Sequence, residues 1–303
     1  MPTLSPVLTR TRKTHATPLA LWHLLSLDAP TVAALWTYFI AASIGIQLPR
    51  TSILAMSLAV WMLYAADRLL DARHLLSNPL HTGDLEHRHR FHHRHRTPFL
   101  AGILLASAAL AVLIPRLHPA TLHLDLILGA LLAGYFILIH ATGSAHRLPK
   151  EIAVGLFFSA AVFLPTIARA PALRPNLAPA AALFALLCSL NCLFIYAWEH
   201  TPNRISPSSL TATPHPATQL ALHHLPALAW LSLATNTGFA LLSYFRANTT
   251  AQITPWTIPA ATAASSALLL ALNRHRPRLT PLTLRAAADL ALLTPVLLLP
   301  TLH

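Results

Sequence analysis

The sequence predicts an all-α polytopic membrane protein, a bundle of nine transmembrane helices. Three observations predict it. Hydrophobic residues make up 55% of the 303 and charged residues only 10%, against about 25% charged in an average soluble domain. The apolar residues come in blocks near the about 20 residues that cross a bilayer. The basic residues collect on alternate sides of those blocks. A mean hydropathy of +0.55 excludes a disordered chain, which would be polar and highly charged. The net charge of +12 sits between apolar blocks, so it points to anionic lipid headgroups and no nucleic-acid partner is expected.

Residues 1–18 read as a cytoplasmic N-terminal tail, and 19–303 as one transmembrane domain. The apolar stretch from Leu19 to Leu27 is interrupted by His23 and stopped by Asp28, which argues against a cleavable signal peptide. The nine blocks are 30–48, 52–70, 98–114, 120–140, 152–168, 177–197, 220–245, 256–272 and 282–300. Ala and Leu dominate them, and both favour helix. Pro30, Pro49, Pro98, Pro119, Pro149, Pro179, Pro255 and Pro281 fall at or near block ends, where proline is tolerated or stops a helix. Pro165, Pro226, Pro259 and Pro295 fall inside blocks and should kink them. Cys188 and Cys192 are four apart in one apolar run, a spacing for two small core residues rather than a disulfide.

With the N-terminus inside, sixteen of the 21 lysines and arginines lie on inside segments. Arg50, Arg116, Arg169, Arg174 and Arg246 make up the outside five. That bias predicts a multi-pass protein of the cell inner (cytoplasmic) membrane, N-terminus cytoplasmic and C-terminus outside. The longest inside connections, 72–97 and 198–217, follow the second and sixth spans. The first carries the run His87-Arg88-His89-Arg90-Phe91-His92-His93-Arg94-His95-Arg96. Alternating Arg opposes a cation there, and the run suits anionic lipids at about 1 kcal/mol per basic residue. A solvated, topology-fixing loop is the plainer reading.

Carboxylates at or in a membrane segment are costly and often functional. There are nine acids. Asp28 precedes Ala29-Pro30 and reads as a helix cap. Glu151 suits the start of span five, and Asp289 is four residues after Arg285, an i,i+4 ion pair. Asp84 and Glu86 lie in the polar loop, and Asp125 has no evident partner in sequence. Asp67 and Asp71 differ. They close span two, and four-residue spacing puts both on one helical face with Tyr64 nearly in line. Two adjacent carboxylates repel unless a cation joins them, and Mg²⁺ takes one or two carboxylates plus substrate phosphates. The alternative is a pair of helix-end acids neutralised by Arg68 and Arg73.

This DxxxD, the nine blocks and the long connections after blocks two and six resemble the UbiA superfamily of intramembrane prenyltransferases over nearly the whole chain. In its motif NDxxDxxxD, Asp67 and Asp71 match the last two acids, while Leu63 and Tyr64 replace Asn and the first Asp. The resemblance implies a UbiA-like fold and Mg²⁺ held by Asp67 and Asp71. It also implies an isoprenoid diphosphate as donor and a lipophilic acceptor. The family's second Asp motif falls on span six, which here runs Asn191-Cys192-Leu193-Phe194-Ile195-Tyr196-Ala197-Trp198-Glu199 and has no Asp. Asn191 and Glu199 are the polar residues left for a catalytic role, with Glu199 as the remaining metal ligand. Lys150 and Arg147, in His146-Arg147-Leu148-Pro149-Lys150, match the family's diphosphate-holding basic segment. Arg68, Arg73 and Tyr64 complete the expected diphosphate contacts. The resemblance leaves two readings, a prenyltransferase and a divergent, non-catalytic member that binds a polyprenyl phosphate. A transporter is disfavoured because the acids cluster at helix ends.

Overall fold

Apolar blocks this long become helices because only helices satisfy their own backbone groups in lipid. The computed structural model describes residues 18–76, 91–141, 149–199, 215–249 and 255–302. They form helices and turns, with no strand among the described residues. The helices are α1 (Pro18–Leu24), α2 (Asp28–Ser43), α3 (Arg50–Leu76), α4 (Arg96–Leu113), α5 (Pro119–Ala141) and α6 (Lys150–Arg169). They continue with α7 (Arg174–Glu199), α8 (Pro216–His223), α9 (Leu225–Thr249), α10 (Thr257–His275), α11 (Pro281–Leu290) and α12 (Pro295–Leu298).

Among the described residues, seven helical stretches are long and apolar enough to cross a membrane: α3 to α7, α9, and the interrupted stretch Leu282–Leu302. The chain is thus a multi-pass membrane protein. The other two blocks are helical but fall outside that set. α2 has 16 residues, about 24 Å of rise. α10 has 19 and carries Thr262, Ser265 and Ser266, all buried.

The prolines divide by position. Pro165 lies inside a continuous α6. Pro179 also lies inside its helix, because α7 begins at Arg174, earlier than its apolar block. Pro226 and Pro259 fall in the first turns of α9 and α10, where proline costs no hydrogen bond. The seventh block divides at His224 into α8 and α9. Pro295 follows a true break: α11 gives way to a 3₁₀ turn at Ala291–Leu293. Neighbours satisfy the polar groups there. The Trp36 indole donates to Leu292 O at 2.7 Å, and Thr294 Oγ1 donates to Ala261 O at 2.8 Å.

The core is made by α2, α6, α7, α10 and α11. Trp36, Phe39, Phe163, Phe184 and Phe194 are fully buried in it. The rings of Trp36 and Phe184 lie 4.3 Å apart. α6 and α7 approach closely because small residues line the crossing. A Cβ on Gly155 would sit 2.1 Å from Ser189 Oγ, and Ser159 Oγ donates to Ala181 O at 2.7 Å. α4 packs on α3 and α5 packs on α6. These two outer helices turn Leu104, Leu105, Leu126, Leu131 and Ile137 outward, as lipid-facing helices do.

Helices alternate in direction. Side-chain pairs place the C-terminal ends of α3, α7 and α10 at the same end of the bundle as the start of α2, α6 and α11. At the other end Thr257 Oγ1, opening α10, bonds Ser43 Oγ, closing α2, at 2.9 Å.

Candidate functional site

The polar groups at the first of these ends form two clusters, and α3 contributes adjacent residues to both. Consecutive residues on a helix point about 100° apart. Asp67 therefore faces α6 while Arg68 faces α1 and α2.

The first cluster lies at the rim. Lys150 Nζ is 3.4 Å from Asp67 Oδ1, and both side chains are partly exposed. Asp71 follows one turn on and is half-buried. Lys150 opens α6, whose N-terminus has no side-chain cap among the described residues. Uncapped backbone N–H groups and a lysine beside two carboxylates suit a phosphate group bridged to the acids by a divalent cation. Asp67 and Asp71 are oxygen donors at one-turn spacing, which fits Mg²⁺. Leu63, one turn before Asp67, is exposed. Arg73 lies on α3, its side chain outside the described residues, and Arg147 lies outside them altogether. So do residues 77–90, which include the first part of the basic run.

The second cluster is buried, and the sequence did not expose it. It begins at the turn between α1 and α2. Leu27 N bonds Trp22 O and Ser26 N bonds His23 O, with Ser26 at φ 59°. That is a Schellman ending with a serine in the usual glycine place. It sets His23 and Asp28 on either side of one turn. Asp28 is not the cap expected from sequence: Leu27 holds that position without a side-chain cap, and Asp28, the first residue of α2, accepts from Ala29 N at 3.0 Å through Oδ1. Its other oxygen has a further role. Asp28 Oδ2 lies 2.6 Å from His23 Nδ1, accepts from Arg68 Nη2 at 3.0 Å, and lies 3.4 Å from Tyr64 Oη. Arg68 also donates to His23 O at 2.7 Å and to Tyr64 Oη at 2.5 Å. Its guanidinium lies 4.2 Å from the Tyr64 ring centroid.

From the other side come α7 and α11. Asp289 Oδ2 is 3.4 Å from His23 Nδ1, and Asn191 Nδ2 donates to Asp289 Oδ1 at 3.4 Å. Arg285 pairs with Glu199 across the two helices. The sequence pattern set Asp289 against Arg285, four residues before it. In the fold the two take different partners: Arg285 pairs with Glu199 at the end of α7, while Asp289 meets Asn191, about two turns earlier on α7, and His23 of α1. Glu151, at the start of α6, accepts from Thr218 Oγ1 at 3.0 Å and so docks α8.

Of the residues singled out from sequence, Asp67, Asp71 and Lys150 gather at the rim. Tyr64, Arg68 and Asn191 belong to the buried network, and Glu199 joins its edge through Arg285. His23, Asp28, Arg285 and Asp289 were missed as site residues. The usable signal was His23, an imidazole inside an otherwise apolar stretch.

No protein-family model, curated protein or solved structure matches the chain.

Proposed function

We propose that the chain is a UbiA-like, nine-span intramembrane prenyltransferase of the inner membrane. It would transfer an isoprenoid chain from a prenyl diphosphate to a lipophilic acceptor. The observation that carries this reading is the rim cluster: the DxxxD of α3 beside Lys150 at the uncapped start of α6. Asp67 and Asp71 would hold Mg²⁺, which would supply Lewis-acid stabilisation of the diphosphate leaving group. Lys150, paired with Asp67 in the absence of substrate, turns its ammonium to the diphosphate oxygens and takes up charge as the allylic C–O bond breaks. The α6 N-terminus adds backbone donors to the same oxygens. The prenyl chain lies along apolar helix surface, which excludes water from the reacting carbon. The positive-charge bias supports a cytoplasmic position for this end of the bundle, with the C-terminus outside.

A second reading, a non-catalytic binder of a polyprenyl phosphate, is favoured by two specific pairings. Glu199 is engaged by Arg285 and Asn191 by Asp289, so the span-six residues are committed elsewhere.

The test uses the full chain in lipid nanodiscs with an isotope-labelled prenyl diphosphate. Mg²⁺-dependent binding should fall more than about tenfold, or about 1.4 kcal/mol, in Asp71→Asn and in Lys150→Gln. Label appearing in a lipid-extractable product selects the enzyme over the binder. Binding indifferent to Mg²⁺ and to both substitutions removes the site. Reporter fusions after Thr82 and after His303 should report opposite sides; the same side would refute the nine-span alternation.

A further inference from the structure

The buried cluster has a chemistry that the rim site does not use. His23 and Asp28 are fully buried, and the Asp289 side chain keeps 12% of its exposure. One ligand-type atom from each lies within 4.8 Å of the other two. Both His23 ring nitrogens and Asp289 Oδ2 are buried with no hydrogen-bond partner. The 2.6 Å approach of His23 Nδ1 to Asp28 Oδ2 is an ion-pair distance without hydrogen-bond geometry. Buried polar atoms without partners are rare and demand a reason.

Charge sharpens the problem. With His23 neutral, Asp28, Asp289 and Glu199 face Arg68 and Arg285, leaving one uncompensated negative charge among buried groups. A proton on His23 would balance it, but an imidazolium carries two N–H donors, and neither ring nitrogen has an acceptor in line. A divalent cation in front of Nδ1 uses that lone pair and the Asp289 oxygen together and turns the excess of one negative charge into one positive, which an anionic group in a fourth position would offset.

We propose that His23, Asp28 and Asp289 bind a divalent first-row transition-metal ion, a site separate from the rim carboxylates and independent of the prenyltransferase reading. An imidazole with two carboxylates is a donor set for Zn²⁺ or its neighbours, since Mg²⁺ prefers all-oxygen surroundings. Ligand atoms about 3.4 Å apart are what a tetrahedral ion with bonds of about 2.1 Å requires. The His23–Asp289 separation is 3.4 Å. The closer His23–Asp28 pair opens by several tenths of an ångström, about 0.8 Å at most, as the ion enters. Asn191 bonds the far oxygen of Asp289 and fixes its orientation, as outer-shell partners do, whereas Arg68 donates to Asp28 Oδ2 itself and would share that oxygen with the ion. Asp289 is the least buried of the three.

The experiment uses the full chain in detergent, ZnCl₂ as the probe, and elemental analysis after desalting. One zinc per chain should be retained and should leave with EDTA. His23→Gln and Asp289→Asn should each weaken zinc binding by more than the about 10–100-fold that losing an outer-shell partner costs. Asp67→Asn and Asp71→Asn should retain it. Zinc that stays in both cluster variants sits elsewhere, the histidines of 87–95 first, and overturns the proposal. So does a wild-type chain that retains none. Should a variant fail to fold, the zinc-edge absorption spectrum of the wild type decides. One imidazole with oxygen neighbours is expected, and two or more imidazoles or any sulfur would refute the site.

Discussion

Asp67 and Arg68 are neighbours in sequence and belong to different physical worlds. Asp67 meets Lys150 at 3.4 Å with both side chains partly in solvent or headgroups. Arg68 meets Asp28 at 3.0 Å with both almost fully buried. A solvated pair gains little because water competes for both charges, typically about 0–1 kcal/mol. A buried pair gains little net as well, since desolvation consumes the attraction, but removing one partner strands the other. The two clusters should thus respond to similar substitutions in opposite ways. The rim is cheap to alter and free to exchange its lysine contact for a ligand. The interior is expensive to alter and fixes how α1, α2, α3 and α11 sit together.

The largest expected effect breaks the interior side of that comparison. Arg68→Met keeps a long side chain but leaves Asp28 and the His23 carbonyl without their donor. Stranding a buried charge costs about 3–5 kcal/mol. Thermal unfolding of the detergent-solubilised chain, stripped of metal with EDTA, should show it. The double variant Arg68→Met with Asp28→Leu removes the stranded carboxylate and should recover much of the loss. A single-variant loss below about 1 kcal/mol, the scale of a solvated pair, would show that water reaches the cluster.

Glu199→Gln comes next. Its partner Arg285 sits at the edge of the cluster, and both side chains keep 18% of their exposure. A hydrogen bond to a charged group is worth about 1.5–3 kcal/mol, and the amide retains part of it. Unfolding should register an intermediate loss, while Mg²⁺-dependent binding of a prenyl diphosphate stays within about twofold, under about 0.5 kcal/mol. A collapse of that binding at unchanged stability would instead make Glu199 a ligand of the rim metal.

What the sequence made legible follows from the range of each interaction. Apolar blocks and the Asp67–Asp71 spacing are local patterns, so the helices and one face of the rim could be read directly. Lys150 could be placed near them only through the family resemblance. The buried cluster was hidden because its members are far apart in sequence: 23 and 28, 68, 191, then 289. Each has an ordinary local explanation. Asp28 looks like a helix cap but is the first residue of α2, with Leu27 at the cap position, and its second oxygen is the centre of the cluster. Asp289 looks like the i,i+4 partner of Arg285, and only the crossing of α1, α7 and α11 separates them. The short α1 escaped notice for a related reason. Seven residues are too few for a period to show, and what holds them is a serine in a left-handed turn and the Arg68 bond to His23 O.

The smallest stability effect carries the most information about the rim. Asp67→Asn removes one charge from a partly exposed pair and leaves a side chain of the same shape. The substitution should change unfolding by no more than about 0.5 kcal/mol. Lys150 loses only a solvated contact, and water replaces it. The binding readout should move in the opposite proportion. If Asp67 and Asp71 share Mg²⁺ with a diphosphate, one ligand oxygen and half of the carboxylate charge disappear together. Mg²⁺-dependent binding should then weaken by more than about tenfold, or about 1.4 kcal/mol, several times the stability change. Such a split, small in folding and large in binding, is what a site kept at the surface of the bundle predicts and a structural ion pair does not. Equal small changes in both measurements would reduce Asp67 to a helix-end charge neutralised by Lys150. The buried cluster would then be the only polar centre at this end of the bundle, among the described residues, with a claim to chemistry.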